Sequence, residues 1–132
     1  MVIDTSALAA IFFHEPEREA FRNAIIAASS RLISAATALE AGMVIEGRRG
    51  GGAGREFDLF VVRAQIQIVP IDAELADLAR SAWRKYGKGR HPAGLNFGDC
   101  FSYALAKSSG DPLLAKGADF ARTDVLIHAA VG

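Results

Sequence analysis

The chain has 132 residues, 51% of them hydrophobic, with 15 Lys+Arg against 15 Asp+Glu and one cysteine. That length sets one domain, residues 1–132, with a full core, and the balanced charge excludes a globally basic nucleic-acid binder while leaving room for local patches. Cys100 alone excludes an internal disulfide and a cysteine-rich zinc site, and with no leader-like start and no apolar stretch long enough for a bilayer the reading is a cytoplasmic protein without a membrane segment.

In chain order, Val2-Ile3 is a short apolar strand that stops at Asp4. Ser6 is placed to cap a short helix through Phe13. Pro16, between Glu15 and Glu17, opens a second helix with Phe21, Ala24, Ile25 and Ala28 at helical spacing. Arg31–Ser34 is a strand. Ser34 or Thr37 caps a third helix through Ile45, with Glu40 in its first turns. Arg48-Arg49-Gly50-Gly51-Gly52-Ala53-Gly54 reads as a flexible loop before a fourth helix from about Arg55. Ile66–Ile71 alternates as a strand. Asp72 then caps a fifth helix with Leu75, Leu78, Ala79, Ala82 and Trp83 inward.

Residues Arg84–Pro92 form a basic, glycine-punctuated loop. Asn96 caps a sixth helix, and Asp99 three positions on completes a capping-box pattern. Phe97, Phe101, Ala104 and Leu105 make its apolar stripe. Pro112–Ala115 is a strand, Gly117–Phe120 a turn or short helix, and Val125–Ile127 a last strand. The alternation predicts an α/β fold with a mainly parallel sheet between helices.

Four acids stand out on this scaffold: Asp4, Glu40, Asp99 and Asp119. Asp4 interrupts a buried strand at its carboxyl end, where α/β sheets place ligands. Glu40 follows a mostly apolar helical run. A charge in such surroundings is costly unless paired or bound to a cation. Hard divalent ions prefer carboxylate and water oxygens, and phosphodiester hydrolases use them to activate water. Each acid also has a structural reading alone: Asp4, Asp99 and Asp119 as caps or turn residues, Glu40 as a solvated helix residue.

Four blocks carry a resemblance. They are Val2–Leu8, Leu39-Glu40 with Val44-Ile45-Glu46, Gly94–Ala106, and Pro112–Phe120. In that order they resemble the PIN-domain ribonucleases, and specifically the VapC-type toxins of bacterial toxin–antitoxin pairs. The resemblance implies a three-layer α/β/α sandwich. It implies a homodimeric endoribonuclease that uses Mg²⁺, with Mn²⁺ also accepted, and is held inactive by a cognate VapB-type antitoxin. Asp4 and Asp99 match the metal-binding aspartates and Glu40 the acidic helix residue. Many relatives carry an acid or Asn two positions before the Asp-Phe pair, where this chain has Gly117. Asp119 is the nearest acid and the candidate to complete the site; with Glu40 it would hold the metal through water or orient the attacking water. The number of metals is open. Ser6 belongs to the first block as an orienter of Asp4 or a helix cap.

Lys85, Lys88, Arg90 and Lys116 are candidate RNA contacts, with Tyr86 a stacking surface. Arg48, Arg49 and Arg55 read as ordinary solvated charges. Cys100 reads as a packing residue, and the Phe57–Phe60 helix as core or as part of a dimer or antitoxin groove. Two rivals stand beside the toxin: an RNA-processing PIN nuclease with no antitoxin, and a non-catalytic RNA- or protein-binding module of the same fold.

Overall fold

In a strand, successive side chains point to opposite faces, so a two-sided sheet needs apolar residues at consecutive positions. The computed structural model describes residues 1–129 and shows this pattern in the strands at Val2–Ile3 and Leu113–Leu114; residues 130–132, the end of the expected domain span, lie outside the described residues. The strands are β1 (Val2–Ile3), β2 (Leu32–Ser34), β3 (Gln67–Val69) and β4 (Leu113–Leu114). They pair in parallel in the order β3-β2-β1-β4. Ile3, Ile33 and Leu114 pack with one set of helices, while Val2 and Leu113 pack with the other.

The first set is α1 (Thr5–Phe12), α2 (Arg18–Ala27), α3 (Ala35–Arg49) and α4 (Gly51–Arg63). The second is α5 (Ala73–Tyr86) and α6 (Phe97–Ser109). The result is the three-layer α/β/α sandwich expected. Strand order runs outward from β1 to β3, then reverses so that β4 flanks β1 on its other side. The crevice of an open α/β sheet lies at such a reversal, outside the carboxyl ends of the strands. Asp4 follows β1 at that point.

Local chemistry sets the helix ends. Asp72 accepts from the Leu75 amide at 2.8 Å, as expected. Asn96 and Asp99 form a complete capping box, with the Asp99 amide 2.9 Å from Asn96 Oδ1 and the Asn96 amide 3.0 Å from Asp99 Oδ2. Ser34, rather than Thr37, caps α3. At α1 the cap is Asp4, and Ser6 supplies the donor. Arg31 donates to Ile25 and Ile26 carbonyls at the end of α2 and to Ala64 at the end of α4, closing two helix C-termini with one cation.

Several expectations are corrected. The glycine run is not a loop: only Gly50 turns the chain, at φ 89°, and α4 begins at Gly51. Packing against α3 explains this. A Cβ on Gly54 would lie 3.2 Å from Glu46 Cβ and nearer still to its carboxylate, so glycine permits the close approach. The second helix starts at Arg18, past Pro16, and ends at Ala27. Arg84, Lys85 and Tyr86 belong to α5 rather than to the basic loop. The last expected strand is reduced to one parallel bridge, Leu113 to Ile127. Phe97 is 82% exposed and Trp83 44%, so neither is the inward-facing residue expected. No described helix is long and apolar enough to cross a membrane.

Candidate metal centre

Each acid reaches the sheet's carboxyl edge by a different route. Asp4 arrives as the residue after β1 and is only 3% exposed. Its Oδ2 accepts from the Ser6 amide at 3.0 Å and the Ser6 hydroxyl at 2.7 Å. Its Oδ1 accepts from the Ser102 hydroxyl on α6. The Lys116 amide, just past β4, donates to Ser6 Oγ at 2.9 Å and ties the two central strand ends together. Asp4 is thus a helix cap as well as a candidate ligand.

Glu40 comes from the second turn of α3, half-buried. The Thr5 hydroxyl donates to its Oε1. Its carboxylate lies where the side chain of residue 98 would stand: a Cβ on Gly98 would collide with Oε2. The absence of a side chain there lets Glu40 reach the first turn of α6 beside Asp99. A helix that returns antiparallel to the strands starts at their carboxyl edge, which brings Asp99 there. Asp119 is exposed, immediately before the short 3₁₀ turn Phe120–Arg122 that follows β4.

The electrostatics join the four. The Asp99 pKa is raised from 3.8 to about 6. Burial contributes most; the Asn96 amide opposes it, and the charges of Asp4, Glu40 and Asp119 add to the rise. Among the described residues none of these four acids forms an ion pair with a basic side chain. An uncompensated cluster of oxygen donors suits a hard divalent cation. Among the described residues no three acids converge tightly enough to make a ready cage. The donor set therefore fits a cation shared by few carboxylates and completed by water, the usual state of Mg²⁺.

The expected RNA contacts are not gathered into one patch. Lys88 lines a hollow of about 560 Å³ with Arg80, Trp83, Asn96, Phe97 and Phe101, next to the start of α6. Arg90 stacks over Trp83 with its Cζ 4.2 Å from the ring centroid. Lys85 borders a separate hollow with Tyr103 and Lys107. Lys116 is paired with Glu15 at 3.2 Å and Glu17 at 3.0 Å, which raise its pKa, Glu17 more than Glu15. Tyr86 packs against Tyr103 and His91. Burial, then the Asp99 charge, raises the Cys100 pKa, the opposite of an activated thiol.

Sequence reasoning missed Thr5, Gly98 and Ser102. Ser102 had a usable signal: it is one polar residue in an apolar helix, three positions after Asp99 and so on the same face.

Comparison with known proteins agrees with this architecture. The PIN domain family model matches residues 1–126. The chain is 57% identical over 125 residues to Ribonuclease VapC30 of Mycobacterium tuberculosis, covering 95% of each chain. It is equally identical to Ribonuclease VapC of Mycolicibacterium smegmatis, covering 95% of this chain and 97% of the relative. Among solved structures, Mycobacterium tuberculosis VapC20, a sarcin–ricin loop cleaving toxin, superposes with a TM-score of 0.76 at 18% identity, covering 95% of both chains. A toxin–antitoxin complex from Klebsiella pneumoniae gives 0.69 at 19% identity, covering 96% of this chain and 95% of that one. The last two speak to the fold. By family model and by identity to its relatives, the chain belongs to the PIN-domain family, among the VapC ribonucleases.

Proposed function

We propose that this chain, as one PIN domain, is a Mg²⁺-dependent endoribonuclease that also accepts Mn²⁺ and acts as the toxin of a VapBC-type toxin–antitoxin pair in the cytoplasm. The observation that carries the chemistry is the set of four acids at the β1/β4 reversal with no basic partner among the described residues. The relatives' names supply the toxin reading.

Asp4 and Asp99 would hold the cation directly, and Glu40 and Asp119 through water. A bound Mg²⁺ would supply Lewis acidity toward the phosphate and acidify a water for attack at phosphorus. The chain's own part is positional. Ser6 and Ser102 fix Asp4, Thr5 fixes Glu40, and the capping box fixes Asp99. Lys88 lines the hollow at the start of α6 with the exposed Phe97 and is the first candidate for RNA contact; Arg90 stacks on Trp83 of the same hollow, and Lys85 borders another. Lys116 would have to leave Glu15 and Glu17 to reach a phosphate.

Two surfaces fit the proposed partners. Leu39 (65% exposed) and Met43 (66%) flank Glu40 along α3, an apolar face available to a second copy in a homodimer. Between α1, α2 and α4 runs a groove of about 660 Å³, lined by Ile11, Phe12, Leu59 and Phe60 and bordered by Arg18 and Arg63. Apolar floor and basic rim suit an amphipathic, acidic antitoxin segment. Phe57, by contrast, is core.

The test is controlled expression followed by sequencing of RNA ends, with Asp4→Asn as control. Growth arrest, defined new RNA ends, and relief by the product of a neighbouring antitoxin frame are expected. Cleavage without growth arrest would favour the RNA-processing nuclease. No new ends from a folded protein would favour the non-catalytic module.

A further inference from the structure

Three hydroxyls lie behind Asp4, and the proposed cleavage chemistry does not use them directly. Ser34, Thr37 and Ser102 are each 1% exposed. A serine in mid-helix ordinarily bonds a carbonyl of its own helix or faces water. Ser102 instead donates to Asp4 Oδ1, 98 positions away in sequence. Thr37 Oγ1 stands 3.5 Å from Ser102 Oγ, and Ser34 Oγ donates to Thr37 Oγ1 at 2.8 Å. The Thr37 amide closes the other end, donating to Ser34 Oγ at 2.9 Å.

Each hydroxyl has one proton, so the order is set. Ser102 gives its proton to Asp4, which leaves Thr37 as the donor to Ser102 and Ser34 as the donor to Thr37. The two short links, Ser34 to Thr37 and Ser102 to Asp4, both point toward the carboxylate, and the 3.5 Å approach of Thr37 to Ser102 is the long step between them. Such rows polarise one another, and buried members have no water to substitute for a lost partner. A second short row, from the Lys116 amide through Ser6 to Oδ2, meets the first. A carboxylate has roughly four lone-pair sites. Ser6 occupies two with its amide and hydroxyl, Ser102 a third, and the one remaining is on Oδ1.

We propose that Ser102, backed by Thr37 and Ser34, is a positioning residue that fixes Asp4 so that one oxygen, Oδ1, offers its remaining lone pair to the divalent cation. This rests on the cation reading given above. The test is Mn²⁺ binding by calorimetry on purified protein of verified fold, with RNA cleavage followed across a Mn²⁺ series. Ser102→Ala is expected to weaken Mn²⁺ binding by about 10–100-fold, as outer-shell substitutions do. Its cleavage deficit should narrow as Mn²⁺ is raised, and Ser102→Thr, which keeps the donor, should recover affinity. Thr37→Val keeps the shape, loses the hydroxyl, and should weaken binding less; it also serves if Ser102→Ala does not fold. Wild-type Mn²⁺ affinity in folded Ser102→Ala, or in Thr37→Val where that is the folded variant, overturns the inference. A wild-type protein that neither takes up Mn²⁺ nor cleaves RNA overturns the cation reading itself and this inference with it.

Discussion

Asp4 and Asp99 stand at the same sheet edge in opposite surroundings. Asp4 is deeply buried and met only by donors, two of them through Ser6 and one from Ser102. Asp99 is half-open, tied to the Asn96 amide through Oδ2, and sits in the field of three other carboxylates. One acid is anchored and the other is crowded. The pairing found here has one carboxylate fixed by donors and one whose charge calls for compensation.

The sharpest break of this comparison removes either charge. Asp4→Asn and Asp99→Asn should each reduce RNA cleavage beyond the ~100-fold reached by outer-shell changes, with the fold kept. Rate measurements on purified variants with matching circular dichroism check this, and wild-type rates would sink the assignment. Next comes the crowded side alone. Alanine at position 98 should favour helix α6 intrinsically by up to ~1 kcal/mol, yet it would displace Glu40, whose Oε2 stands where the new Cβ would be. Gly98→Ala should therefore cleave roughly 10–100-fold more slowly at unchanged helix content. A folded variant with full activity would show that Glu40 is dispensable there.

A smaller effect tests the approach of RNA. If Lys88 meets a phosphate, Lys88→Ala should lower the slope of log affinity against log salt by about 0.7 on single-stranded RNA. Binding titrations with the uncleaving Asp4→Asn protein measure it, and an unchanged slope would remove Lys88 from the contact set.

The smallest effect concerns stability without metal. Asp99 has a folded pKa near 6 against 3.8 for the free side chain. Between those values the folded chain binds more protons than the unfolded one, so stability falls as pH rises from about 4 to about 6 and levels off above. In EDTA at pH 7, Asp99→Asn should melt a few degrees above wild type, and the two melting curves should converge near pH 4. A lower melting point for Asp99→Asn at pH 7 would deny the crowding.

Much of this was legible in the sequence because it rests on local chemistry. Val2-Ile3 ending at Asp4, the Asp72 cap and the Asn96–Asp99 box are short-range patterns with one physical meaning each. What escaped depends on contacts distant in sequence. The glycines after Arg49 read as a loop because only the packing on Glu46 reveals why a helix carries glycine at position 54. Gly98 shows no left-handed backbone; its small size serves Glu40, 58 positions away by sequence number. Phe97 fits a helical stripe by spacing, yet the first turn of α6 turns it outward. The basic loop was visible as a string of charges, but which of them faces the acids is a property of the folded surface.

The sharing of a divalent cation by Asp4 and Asp99 is proposed to be what RNA cleavage requires. Its most direct test is a Mg²⁺ titration of EDTA-treated wild-type protein on a single-stranded RNA, run beside the Asp4→Asn/Asp99→Asn double variant. The expected result is no cleavage in EDTA, saturable recovery with Mg²⁺ for the wild type, and none for the double variant. Cleavage that persists in EDTA, or recovers equally in the double variant, would contradict it.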